Sequence, residues 1–93
     1  MYYVRVKWNH AIPEEPVWLY SELDRNRWET RKVEIFADGT IGFASAYEAC
    51  GGTRLGQEPV PPLIEIAAAE EFEPQEITQE EFEKVWSNRV MAK

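Results

Sequence analysis

Gly51 and Gly56 frame the tetrapeptide Gly52-Thr53-Arg54-Leu55, the spacing of the two glycines in a phosphate-cradling loop. In such a loop backbone N–H groups wrap the phosphates, a following lysine reaches the terminal one, and a hydroxyl holds magnesium. Here Gln57 and Glu58 take the lysine and hydroxyl positions. The cation is missing, and a carboxylate that repels phosphate stands beside the loop. Pro59-Val60-Pro61-Pro62 follows and gives no sign of the helix N-terminus that would complete an anion site. The glycines then read as positions for positive φ or close backbone approach, and the prolines as a stiff arm that sets the exit direction. The P-x-x-P spacing also fits a polyproline ligand, but so short a pattern is common. Arg54 keeps two readings, an internal clasp paired with Glu22, Asp24 or Glu34, or a residue that touches a ligand.

Other chemistry is thinly supplied. The chain has one histidine, His10, and one cysteine, Cys50, far apart in sequence and without a motif around either. A surface His10 and a structural Cys50 are the simpler readings. No cysteine pair, H-x-x-x-H or calcium-loop spacing occurs, so no metal or other cofactor is expected. Seventeen acids allow some carboxylate pair at catalytic distance, but none has a distinguishing context. Enzymatic activity is therefore not expected.

Two binding constellations remain. Trp18 and Tyr20 share one face of a predicted strand, and tryptophan, tyrosine and arginine dominate interface hot spots. With the exposed acids Glu70, Glu71 and Glu73 they make a candidate surface for another protein, one with a basic face. Separately, Arg54 with Arg31 or Lys32 makes a candidate grip on an anionic metabolite or nucleotide, since guanidinium suits bidentate capture of carboxylate or phosphate.

The elements that must position these groups read as follows. Residues 2–8 alternate, with Tyr2, Val4, Val6 and Trp8 on one face and Tyr3, Arg5 and Lys7 on the other. A loop with Pro13 and Pro16 leads to a second strand at 17–23, a turn at Asp24-Arg25-Asn26, and an extended segment from 27 to 37. A bulge near Lys32 would reconcile the broken alternation of Trp28 and Phe36 with Val33 and Ile35. Asp38-Gly39 predicts a hairpin with a type I′ turn. Residues 63–66 fit a short strand or one helical turn, and residues 72–77 an extended run along the domain edge. Thr78-Gln79-Glu80-Glu81 is a capping box, Ile77 and Phe82 fit a hydrophobic staple, and Phe82, Val85, Trp86 and Val90 mark a helix face. Glu80 and Glu81 suit the helix start, Arg89 and Lys93 its end. The expected fold is α+β: an antiparallel sheet of about four to five strands with a C-terminal helix packed on one face.

The 93 residues fit one domain, 44% hydrophobic and 29% charged, with twelve aromatic residues to build a small core. Net charge is −7, and it is uneven: seven basic against eight acidic residues up to Gly56, three against nine beyond it. That disfavours direct nucleic-acid binding and suits a basic protein partner; a homodimer is also compatible. No signal peptide or membrane-length apolar run is present, and a single cysteine needs no oxidising compartment, so a soluble cytoplasmic protein is expected.

Tyr20-Ser21-Glu22-Leu23-Asp24, Arg31-Lys32-Val33-Glu34-Ile35-Phe36 with Asp38-Gly39, Gly52-Thr53-Arg54-Leu55-Gly56, Pro61-Pro62-Leu63 with Glu65-Ile66, and Glu80-Glu81-Phe82-Glu83 resemble segments of a family of small bacterial proteins of unknown function. The resemblance spans nearly the whole chain. It implies a stand-alone intracellular bacterial domain and carries over no catalytic residues.

Overall fold

Alternating apolar residues at the N-terminus pair with a second alternating run, and the rest of the sheet grows outward from that hairpin. The computed structural model describes residues 1–90. In chain order the elements are β1 (Tyr2–Trp8), β2 (Pro16–Leu23), β3 (Glu29–Phe36), β4 (Ile41–Ser45), β5 (Ala49–Cys50), α1 (Leu63–Ala67), β6 (Phe72–Glu76) and α2 (Gln79–Ser87). One antiparallel sheet runs β5-β4-β3-β2-β1-β6. It has six strands rather than four or five. The two extra are the dipeptide β5 and the acidic β6, which pairs with β1 from Val4↔Glu76 to Trp8↔Phe72. β6 carries only Phe72 and Pro74 on its inward face, too short an apolar pattern to read as a strand from sequence.

Register sorts the side chains into two faces. One carries the rows Tyr3–Glu22–Arg31 and Arg5–Tyr20–Val33–Phe43 together with Lys7–Trp18–Ile35–Ile41. The other carries Val4–Ser21–Lys32–Ala44 and Val6–Leu19–Glu34–Gly42. Helix α2 covers part of the first face, where Tyr3, Ile77 and Phe82 form a buried cluster with Tyr20 and Trp86 against it. The second face is also covered, by α1 and by the chain from Gly51 to Pro62.

The bulge lies at Thr30, two residues before the expected position: Glu22 pairs with Arg31 but Leu23 with Glu29. Its effect is specific. Glu29 and Lys32 are an odd number apart and would point to opposite faces of a regular strand; the extra residue brings both to the second face, where they pair at 2.9 Å. A second irregularity at Val17 separates Pro16↔Phe36 from Trp18↔Ile35.

The hairpin at Asp38-Gly39 forms, but its turn is not type I′. Only Gly39 has positive φ (88°), while the Gly39 N–H donates to the Phe36 carbonyl and Phe36 N–H to Thr40. This is the three-residue loop whose last residue is left-handed. Asp38 selects it, because its carboxylate accepts from both the N–H and the hydroxyl of Thr40.

The capping box of α2 is complete, with Glu81 N–H donating to the Thr78 hydroxyl and Thr78 N–H to the Glu81 carboxylate. The helix ends at Ser87, so Val90 lies beyond it and is exposed. Arg89 donates to the Trp86 carbonyl at the helix end, as a cation there should, and pairs with Glu48 at 2.7 Å. Lys93 falls outside the described residues. None of the helices there is long and apolar enough to cross a membrane.

Candidate functional site

The face beneath α2 divides into a closed half and an open half. In the closed half the ladder places Arg31 beside Glu22, and α2 brings Glu83 to the same guanidinium. Arg31 Nε and Nη2 donate to the two Glu22 oxygens at 2.8 and 2.6 Å, and Nη1 and Nη2 to those of Glu83 at 3.1 and 2.6 Å. The guanidinium lies over Phe82 and Trp86, 4.9 and 5.2 Å from the ring centres. Glu22 is 6% exposed and also accepts from Thr30. Arg31 holds its carboxyl below the usual range, against the opposing pull of burial; Thr30 and Tyr3 add to the lowering. Glu83 is lowered by the same guanidinium. Burial, reinforced by Glu22, raises the Tyr3 hydroxyl.

These shifts set a sign for acid stability. Carboxyls depressed in the fold contribute stability that is fully present above their unfolded value near 4.5 and is lost as pH falls through the folded values. Thermal midpoints are expected to fall below about pH 4.5. Glu22→Gln should lower the midpoint at pH 7 and flatten the acid limb; an acid limb of unchanged slope would count against this assignment.

The open half carries Trp18, Tyr20, Ile35 and Ile41. Arg5 and Lys7 lie against the Trp18 ring at 5.4 and 5.8 Å, and Trp18 is 6.4 Å from Tyr20. Tyr20 touches the core cluster and marks the border of the covered region. Glu73 is the cross-strand neighbour of Lys7. With Arg5, Trp18, Pro74 and Gln75 these two residues enclose a hollow of about 390 Å³. Glu70 and Glu71 sit in the turn before β6, at the end of the same edge. Asn9 ties that turn down, donating from its N–H to the Glu71 carbonyl and from its amide to Glu73 at 2.6 Å. Trp18, Tyr20 and Glu73 thus share one surface, with Glu70 and Glu71 at its rim.

The β6 edge itself is closed to strand addition. Ile77 N–H donates to Tyr3 and Asn9 N–H to Glu71, which places residues 72, 74 and 76 with their N–H positions outward. Pro74 has no N–H to offer, Phe72 N–H is spent on Ala69, and Glu73 and Glu76 add charge. A partner at this edge therefore meets chiefly side chains.

Of the two cations offered as a companion to Arg54, Arg31 lies on the other face of the sheet and Lys32 lies beside the Arg54 backbone. Arg31 is committed to two carboxylates on the first face. Lys32 points to the second face, pairs with Glu29 and donates to the Arg54 carbonyl at 3.1 Å. Arg54 is exposed, and among the described residues its guanidinium has no ion-pair partner. Glu22 and Glu34, the clasp partners that the sequence suggests, serve Arg31 and Thr53 instead, and the Asp24 carboxylate accepts from the N–H groups of Asn26 and Trp28.

The glycine-rich stretch and its proline arm form a strap across the second face. Thr53, 2% exposed, donates its hydroxyl to Glu34 at 2.7 Å. Gly56 N–H donates to Glu29 at 2.6 Å. Arg27, left-handed at φ 68°, donates from Nε to the Val60 carbonyl and from Nη2 to Pro61, at 2.7 and 2.9 Å. The proline arm is therefore bound by its own domain. Cys50 lies on the edge strand β5 and His10 in the β1–β2 connection with its ring on Pro16 of β2, three strands away and roughly 14 Å at the usual strand spacing, so the two do not pair. Cys50 is exposed. His10 is half-buried, not a free surface residue: its Nδ1 accepts from Ile12 N–H, which leaves Nε2–H to donate to the Pro16 carbonyl.

A family model described as a domain of unknown function (DUF6881) matches residues 2–91. The chain belongs to that family. Membership agrees with the resemblance drawn from the sequence at the level of an unknown-function family and assigns no site. No curated protein and no solved structure gives a match.

Arg5, Lys7, Arg27 and Glu29 were not singled out by the sequence. The signal for the first two was present: both have the parity of Tyr3 and lie opposite Trp18 and Tyr20 once the first hairpin is registered. Arg27 and Glu29 carry no such signal, because the strap that uses them is irregular chain.

Proposed function

We propose that this domain is a non-enzymatic protein-binding module, of the kind in which a small acidic inhibitor or immunity-type protein covers a basic site on its target. One observation carries the reading: among the described residues α2 covers only part of this face and leaves Trp18, Ile35 and Ile41 half-buried side by side, with Glu73 in the hollow next to Trp18 and Glu70 and Glu71 at the rim. An aromatic centre with a charged border is the anatomy of an energetic interface. The acids and the net charge of −7 steer a basic partner toward that edge. The cations Arg5 and Lys7 are laid against the tryptophan and keep their charge, so the attraction for a basic partner comes from the acids around them. The reading places the domain in a bacterial cytoplasm, in keeping with the family resemblance and the lone cysteine. An anion-sensing role would have to rest on Arg54 alone.

The test is a two-salt affinity capture from the native host, with the tagged domain and two variants. A specific protein should be retained by the wild type at low salt and weakened at moderate salt. Trp18→Ala should lose it, and Glu73→Lys should weaken it by about tenfold, with both variants folded by circular dichroism. Retention of the same proteins by all three forms would remove the proposal.

A further inference from the structure

The second face holds a hollow that the protein-binding reading does not use. It lies between β1 and β2 on one side and α1 with the proline arm on the other, and measures about 330 Å³. Val4, Val6, Leu19, Ile66 and Phe72 make its walls. That size is at the small end of ligand cavities, roughly 300–1,000 Å³. Apolar walls with few polar groups at one end are also what such cavities share.

The polar end is Ser21 and Glu29. Glu29 Oε1 is occupied by Lys32 Nζ and Gly56 N–H, at 2.9 and 2.6 Å. Oε2 accepts only the Ser21 hydroxyl, at 3.0 Å. A carboxylate offers about four acceptor positions. One therefore remains on Oε2, and Ser21, whose proton is already given to Glu29, can only accept. Neither group can donate to a ligand. Glu65 of α1 adds a second carboxylate to the lining, while Lys32 lies on the far side of the arm. The chemistry offered is acceptance of a hydrogen bond, with the Glu29 charge paired to Lys32 and Glu65 supplying the uncompensated negative charge.

The wall formed by α1 is thinly attached. The helix has five residues, none buried, no side-chain cap at Pro62, and Ile64 is 81% exposed. Its displacement costs little packing, so a ligand can enter without opening the core.

We propose that this hollow binds a small apolar molecule carrying one hydrogen-bond-donating head, an amine or a hydroxyl, and that it rejects carboxylates. The head donates to Glu29 Oε2 or Ser21 Oγ, and the apolar body lies against Val4, Val6, Leu19 and Phe72. The site is on the opposite face from the protein-binding surface and does not depend on it.

Three probes of one shape test this: benzylamine, benzyl alcohol and benzoate, titrated into the methyl-labelled domain by NMR. Benzylamine and benzyl alcohol should shift the methyls of Val4, Val6, Leu19 and Ile66 in a saturable way and leave Ile35 and Ile41 unmoved. Benzoate should bind about tenfold more weakly or not at all, the difference made by one hydrogen bond to a charged group. Ala69→Leu should fill the hollow and abolish the shifts. Ile66→Phe, which fills it from the helix without touching the sheet, should do the same if the first variant is unstable. No saturable shift with any probe, equal binding of benzoate, or binding that survives both filling variants would each overturn the proposal.

Discussion

Arg31→Ala is expected to lower the stability of the domain by about 3 kcal/mol, the low end of the cost of breaking a buried ion pair, because Glu22 is buried while Arg31 keeps 20% of its side chain exposed. Small domains have only about 5–15 kcal/mol in total, so the loss is a large share of it. The physical cause is what stays behind. Glu22 would keep its place between β2 and α2 with Thr30 and Tyr3 but without a counter-charge, and Glu83 would lose the contact that fixes α2 over the sheet. Arg31→Lys should recover only part of the loss, because one ammonium cannot serve two forked carboxylates and does not stack on Phe82 and Trp86. The double variant Arg31→Met with Glu22→Gln should be more stable than Arg31→Ala, since it removes the stranded charge. Urea midpoints at pH 7 read all three. A cost below about 1 kcal/mol for Arg31→Ala, the worth of a surface pair, would show that the network is not a stabilising one.

Gly42→Ala is expected to cost about 3 kcal/mol, combining overpacking with a lost hydrogen bond. Gly42 lies on β4 directly beneath the strap. A methyl group there would run into the Thr53 hydroxyl and come within 3.2 Å of the Cys50 carbonyl. Gly51 approaches from the other side, at φ 72°, where a Cβ would stand 2.9 Å from Gly42 Cα. The strap has no room to yield, because Thr53 is fixed to Glu34 and Gly56 to Glu29. Thr53→Ala on the same background should recover part of the loss, so the double-mutant cycle should be strongly non-additive. Additive effects would mean that the two residues do not meet. Faster amide exchange at Gly56 in Gly42→Ala would show directly that the strap has lifted.

The residues that were legible from sequence are those whose partners are near or whose pattern is periodic. The alternation at 2–8, the Asp38-Gly39 hairpin and the capping box at Thr78 all formed where local chemistry placed them. The edge strand β6 was legible as extended chain but not as part of the sheet, because Phe72 and Pro74 are too short an apolar period to read among acids. The cover on the second face was not legible, since irregular chain announces no docking surface. The site readings split along the same line. Trp18 and Glu73 come together because β1 stands between their strands. Only one of Arg31 and Lys32 could stand near Arg54, and the sequence already held the reason: neighbours on a strand point to opposite faces. The position of the bulge was missed because Thr30 is polar, and polar residues near a strand end carry little facing information.

The order of the strands has a consequence for how the chain is made. Strands β1 to β5 form a meander of neighbouring hairpins and can pair as they are synthesised, since local contacts cost little loop closure. β6 must wait: it joins β1 across a separation of 70 residues, after the strap has been laid over the sheet. Until then the outer edge of β1, Tyr2–Trp8, lacks the strand that will close it, and Tyr3 lacks the helix that will bury it. An unpaired, alternating, aromatic-rich edge is the kind of surface on which nascent chains associate. The final segment is therefore a closing element for the first one, and the interval between their syntheses is when this protein is most exposed to misassembly.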